Sequence, residues 1–189
     1  MKNIAIFASG SGTNAENLIL YFSNEKCARV TLLMSNRPDS YVLERARKLS
    51  VKSKIFDRND FYETDRVLKI LEEEKIDFIV LAGFLWLVPA NIIEEYMGRI
   101  VNIHPALLPD YGGKGMYGSR VHKAVIDNGE SQSGITIHMV NEIYDDGDVI
   151  FQARCNIDPG DNAESLAEKI HQLEYKHFPA VIKEFIENL

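Results

Sequence analysis

At 189 residues, with 46% hydrophobic and 26% charged side chains, the chain has the make-up of one globular domain with a sizeable core. A net charge of −7 with no basic run argues against a broad nucleic-acid surface, yet leaves room for one small anion held locally. The longest apolar stretch, Phe78 to Val88, is too short to span a bilayer and stops at Pro89, and no targeting segment is apparent, so a soluble cytoplasmic protein without membrane contact is expected. Cys27 and Cys155 match no metal or redox spacing and read as reduced thiols.

Ile4 to Ala8 is an unbroken apolar run, the pattern of a central parallel strand. Ser9-Gly10-Ser11-Gly12-Thr13-Asn14 follows at once, and Ala15 to Phe22 reads as a helix. A strand, a glycine-rich turn and a helix start form an anion site, because free backbone amides and the positive end of the helix dipole converge there. The plainer reading is a tight turn with a cap. The turn also fits Gly-x-Gly-x-x-Ala, so an NADP oxidoreductase is a rival. Its second strand, Val30 to Met34, ends in Ser35-Asn36-Arg37-Pro38 without a carboxylate at the tip, which leaves Arg37 for a 2′-phosphate. Ser11, Thr13 and Asn14 suit a terminal phosphomonoester better than a bridging pyrophosphate.

Tyr41 to Leu49 is expected as a helix and Lys54 to Phe56 as a short strand. Asp60 or Thr64 is expected to cap one helix running to about Glu74. Phe78 to Leu81 is the next buried strand, followed by Gly83-Phe84-Leu85-Trp86-Leu87-Val88, an apolar loop at the same carboxyl edge. Pro89 to Tyr96 reads as a short helix. Ile100 to Ile103 is again a buried strand, broken by Asn102 and ended by His104-Pro105. Asn102 and His104 are two apart on a strand and face one side, which aims an amide and an imidazole at one point. Alone, either is as readily a capping or core residue.

Gly112 to Gly118 is a glycine-rich loop, a lid or a connector. A helix from Ser119 to Asn128, strands at Gly134 to Val140 and Val149 to Cys155 joined by an acidic turn, and a long helix from Ala163 past Pro179 to Ile186 complete the chain. Five scattered histidines show no metal-ligand spacing, and His138 reads as a strand residue. Asp145, in Asp-Asp-Gly, is by itself good turn chemistry.

The segments Asn102-Ile-His104-Pro-x-Leu-Leu-Pro109, Ser9-Gly-x-Gly-Thr-Asn14, Ser35-Asn-Arg-Pro38, Leu81-Ala-Gly-Phe84 and Asp145-Asp-Gly-Asp-Val-Ile150 together resemble the folate-dependent formyltransferases. The likeness runs in order from residue 4 to about 180, and the amino-terminal phosphate turn is similar to the glycinamide ribonucleotide branch. The resemblance implies an enzyme that moves a formyl group from 10-formyltetrahydrofolate, as co-substrate and without a metal, to the amine of glycinamide ribonucleotide. It implies Asn102, His104 and Asp145 as the catalytic set. Gly12, Thr13 and Asn14 would take the ribonucleotide phosphate and Glu174 its other end. The folate would lie along Leu85, Trp86, Leu87, Val88, Asn102, Asn141 and Asp145. Partners are expected to be small molecules, not nucleic acid, with the chain a monomer or homodimer.

Acyl transfer to an amine passes through a tetrahedral oxyanion, to which the Asn102 amide and a protonated His104 can donate, with Asp145 orienting the imidazole and raising its pKa. The expected fold is α/β: a doubly wound, mostly parallel twisted sheet with an antiparallel addition near the carboxyl terminus. Residues 1–189 form one domain, with a phosphate-binding half of about 1–100 and a catalytic, folate-binding half of about 80–189. Formyltetrahydrofolate hydrolases carry an amino-terminal regulatory domain and methionyl-tRNA formyltransferases a carboxyl-terminal one with a basic face, for which the chain has no room. A non-enzymatic nucleotide-binding module requires the residues at the carboxyl edge to be scattered. The chain departs from many family members at Gly147-Asp148 and from some in the length of the Gly112 to Gly118 loop, and Trp86 is not typical of the family.

Overall fold

A computed structural model describes residues 1–189. Seven strands, β1 (Lys2–Phe7), β2 (Ala28–Ser35), β3 (Lys52–Ile55), β4 (Phe78–Leu81), β5 (Ile100–His104), β6 (Gln132–Met139) and β7 (Val149–Asn156), form one sheet in the order β3-β2-β1-β4-β5-β6-β7. The helices are α1 (Thr13–Phe22), α2 (Tyr41–Lys48), α3 (Arg58–Tyr62), α4 (Arg66–Glu73), α5 (Ala90–Glu95), α6 (Ser119–Asp127) and α7 (Ala163–Glu187).

β1 to β5 pair in parallel, and β6 and β7 are antiparallel additions. This is the doubly wound α/β arrangement expected from the sequence. The apolar runs of β1 and β4 are buried on both faces because each face carries its own core. One core packs Ile4, Ile6, Val80, Val101 and Ile103 against Leu18, Phe22, Phe178 and Ile182. The other packs Ala5, Phe7, Ile79 and Leu81 against Phe56, Phe61, Leu71 and Ile92. Alternate residues of each strand thus serve opposite layers.

The chain winds outward from β1 to β3, then returns to place β4 on the other side of β1. The carboxyl ends of β1 and β4 therefore form a topological switch point, where α/β sheets open a crevice for ligands. Ser9 ties that crevice together: its N–H donates to Gly83 O (3.0 Å), its hydroxyl to Asn36 Oδ1 (2.7 Å), and it accepts from Leu85 N–H (3.1 Å).

One local expectation is corrected. The single helix expected to start at Asp60 or Thr64 is two helices. Asp57 caps α3 by accepting from Asp60 N–H (2.8 Å), while the buried Asp60 carboxylate accepts from Arg66 (2.9 Å) across the break into α4. The last helix is one continuous element through Pro179, begun by an Asn162–Ser165 capping box.

Candidate active site

β5 brings Asn102 and His104 to the crevice on one face, as their spacing requires. β6 runs beside it with His138 opposite Asn102 and Thr136 opposite His104. The loop from Val140 to Asp148 returns Asp145 to this rung. Asp145 Oδ2 lies 3.5 Å from His104 Nδ1 and accepts the Gly113 N–H at 2.9 Å. Its Oδ1 lies 3.4 Å from Asn102 Nδ2 and 3.6 Å from His138 Nε2. The three residues singled out from the sequence thus meet around one carboxylate.

His138 was read as a strand residue, which it is, but it also orients the amide. Its Nδ1–H donates to the Met139 carbonyl (2.8 Å), so Nε2 accepts from Asn102 Nδ2 (3.0 Å). One amide N–H is thereby occupied, and the other reaches Asp145 only at 3.4 Å, a weak bond readily exchanged for a ligand oxygen.

His104 is 3% exposed and donates from Nε2 to the Tyr111 carbonyl at 2.8 Å. Burial pushes its pKa below the ordinary value, against the upward pull of Asp145 and the Tyr111 carbonyl. Asp145 thus pulls the imidazole pKa upward, as expected from the sequence, but desolvation exceeds that attraction and the net shift is downward. Burial would raise Asp145, but facing His138 and His104 and the Gly113 N–H hold its carboxyl below the usual range. An ionised carboxylate thus faces a proton-poor imidazole.

Both groups that hold His104 sit in the left-handed backbone region, Tyr111 at φ 57° and Asp145 at φ 56°. Such conformations persist where the surroundings over-determine them, and they cluster at functional sites. Here the Tyr111 hydroxyl donates to Glu130 (2.6 Å) and accepts from Asn128 (2.9 Å) at the end of α6. Gly112 keeps the two loops close, since a Cβ there would lie 2.6 Å from Leu108 Cδ2 and 3.2 Å from Asp145 Cβ.

The crevice is a cavity of about 630 Å³ that runs from Gly10–Asn14 at the start of α1, past His104 and Asp145, to Phe84, Leu85, Trp86 and Tyr144. Gly12 adopts φ 77° with Val42 packed against it, at 2.2 Å from where a Cβ would stand, so only glycine makes this turn. Gly12, Thr13, Asn14 and Glu174 all line the cavity, and Asn14 Nδ2 donates to Glu174 (2.9 Å). Glu174 is 5% exposed, and burial raises its pKa to about 7.

Leu87, Val88 and Asn141, expected on the folate side, are not among the residues that line the cavity. Val88 is buried in the core beneath the loop, Leu87 offers its carbonyl to Tyr62 (3.0 Å), and Asn141 accepts from Ile143 N–H (2.9 Å) within its own turn. Phe84 and Tyr144 stand in the wall with Leu85 and Trp86, and Arg58 lies over the Trp86 ring at 5.3 Å. No three His, Cys, Asp or Glu side chains are grouped as metal ligands. No helix is long and apolar enough to cross a membrane.

The formyl transferase family profile matches residues 2–182. The chain belongs to the formyl transferase family. A chloroplastic phosphoribosylglycinamide formyltransferase of Arabidopsis thaliana is 36% identical over 96% of this chain, which spans 64% of that relative's length. The phosphoribosylglycinamide formyltransferase of Haemophilus influenzae is 34% identical over 99% of this chain and 88% of its own. In structure, glycinamide ribonucleotide transformylase 1 of Geobacillus kaustophilus superposes with a TM-score of 0.89 at 38% identity, covering 98% of this chain and 99% of that one. Within the family fold, the His104 segment, the α1 turn and the Asp145 loop share one crevice.

Proposed function

We propose that this chain transfers a formyl group from 10-formyltetrahydrofolate to the amine of glycinamide ribonucleotide; its similar relatives are named phosphoribosylglycinamide formyltransferase and glycinamide ribonucleotide transformylase. The observation that carries the reading is the meeting of Asn102, His104 and Asp145 midway along a cavity with a phosphate-type turn at one end and aromatic walls at the other. The turn takes the ribonucleotide phosphate on the Gly12–Asn14 amides. Phe84, Leu85, Trp86 and Tyr144 receive the flat folate ring, and the formyl carbon then lies near His104.

In the reaction the substrate amine nitrogen bonds to the formyl carbon, and the carbon's bond to the folate nitrogen breaks. The amine loses one proton and the folate nitrogen gains one. Asn102 donates its freer N–H to the oxyanion of the tetrahedral intermediate. His104 and Asp145, joined at 3.5 Å, hold and pass the proton between the two nitrogens. The buried imidazole gains its proton as negative charge develops beside it, which concentrates stabilisation in the transition state.

The test is turnover of the two substrates, followed by the absorbance of the deformylated folate. The wild type should turn over. His104→Ala should lose about a hundred- to a thousand-fold in kcat while the KM for the ribonucleotide changes little. A His104→Ala variant of matched circular dichroism that keeps wild-type turnover overturns the reading. Tight NADPH binding with no response to the ribonucleotide would favour the oxidoreductase instead.

A further inference from the structure

The amino terminus of α6 opens into the same cavity as that of α1, and α7 shows how the two lie. His171 and Glu174 are three apart on α7 and share one face of it. Glu174 accepts from Asn14 at the start of α1, while His171 faces His122 on α6, whose pKa burial lowers first and His171 lowers further. The two helix starts therefore flank a single turn of α7. Both helices pack on α7, and Gly12, Thr13, Gly118, Arg120 and His122 all line the cavity.

Three features give the α6 end the chemistry of an anion site. Its first turn has no side-chain cap: the Arg120 and Val121 N–H groups donate back to the Tyr117 and Gly118 carbonyls (3.2 Å each), and the Gly118 and Ser119 N–H groups are left free. His122 is 3% exposed, and its Nδ1 has no hydrogen-bond partner. A buried polar atom without a partner, on a residue that lines the cavity, calls for an explanation, and a bound ligand supplies one. Lys114 and Arg120 line the same wall, and neither enters any ion pair, in a chain of net charge −7. Arg120 instead lies over the Tyr117 ring, 4.9 Å from its centroid, which keeps the guanidinium at the cavity rim. The loop that carries Lys114 is anchored at the reaction centre by the Gly113 N–H on Asp145.

We propose that Lys114, Arg120 and the start of α6 form the second half of the phosphate site, so that the ribonucleotide phosphomonoester is clamped between two helix starts. The α1 turn supplies neutral donors alone, since none of Ser11, Thr13 and Asn14 carries charge. Lys114 and Arg120 supply the positive charge that a dianion needs for tight holding. The clamp also links binding to chemistry, because seating the phosphate on Lys114 fixes Gly113 and, through it, Asp145.

The inference rests on the ribonucleotide as substrate, and its test separates the two. Formyl transfer is measured with glycinamide ribonucleotide and with its dephosphorylated riboside, for the wild type and for Lys114→Ala, Arg120→Ala and Arg120→Lys. A wild type that formylates neither compound overturns the proposed function itself. If the clamp is right, each alanine variant loses about ten- to a hundred-fold in kcat/KM on the ribonucleotide and little on the riboside. Most of that loss should lie in KM, and Arg120→Lys should recover part of it. Equal losses on both compounds would make these residues structural and overturn the clamp. A rise in the folate KM alone would assign the two cations to folate carboxylates and overturn it as well.

Discussion

His104 sits between two opposing effects that differ in origin. Burial removes water from the imidazole and disfavours its charged form, while Asp145 at 3.5 Å favours it. Removing the carboxylate leaves burial opposed by the Tyr111 carbonyl alone, so Asp145→Asn should move the His104 titration midpoint further down. Nuclear magnetic resonance of the imidazole protons against pH reads this directly, and an unmoved or raised midpoint would deny the coupling. The same variant should lose most turnover and little ribonucleotide affinity, since Asp145 acts on charge that appears during reaction. With His104→Ala added, the double variant should be scarcely slower than either single one, because the two residues work as a unit.

At the scale of elements, the β6–β7 loop delivers Asp145, and Gly147 sets its path. A Cβ at Gly147 would stand 1.9 Å from the Met139 carbonyl oxygen, which is rigid strand backbone. Gly147→Ala should therefore shift the loop, costing about 1–3 kcal/mol as overpacking does, and lowering kcat by displacing Asp145. Gly160→Ala, with nothing within 4 Å of its Cβ position, is the matched control and should change neither. Thermal unfolding and turnover of the pair check this, and full turnover in Gly147→Ala would sink it. The elements legible in the sequence were those whose signal is local. The apolar runs of β1, β4 and β5, and the Asn102–His104 spacing, need only their own neighbours. His138 is a different case: its strand was legible, but its place opposite Asn102 depends on pairing between strands 36 residues apart. The split between α3 and α4 was hidden for a related reason, since the break is held by the Asp60–Arg66 ion pair and not by a proline or glycine. Leu87 and Val88 share the apolar character of Leu85 and Trp86, and only the turn of the loop decides which of them face the cavity.

For the whole molecule, two buried groups on neighbouring helices pull stability in opposite directions with pH. Glu174 has its pKa raised from 4.5 to about 7 by burial. The folded state thus keeps a proton that the unfolded chain has released, and the stability this confers is complete below 4.5 and lost as pH rises to about 7. By linkage the loss amounts to roughly 3 kcal/mol. His122 has its pKa lowered from 6.5 to about 4, again by burial first and then by His171 and His104. Here the unfolded chain takes a proton that the folded state refuses, so stability falls as pH drops from 6.5 towards 4. His104, shifted in the same direction, adds to this effect. Between pH 4.5 and 6.5 the slopes oppose, and the wild type should gain less stability with rising pH than a variant without Glu174. Replacing one group should expose the other. Glu174→Gln should gain stability with rising pH across that window, and His122→Asn should lose it. Urea unfolding at pH 4.5, 5.5, 6.5 and 7.5, followed by far-ultraviolet circular dichroism, gives the three curves. Parallel curves for wild type and Glu174→Gln would mean that Glu174 titrates alike in the folded and unfolded chain, and its burial beside Asn14 would then carry no charge penalty.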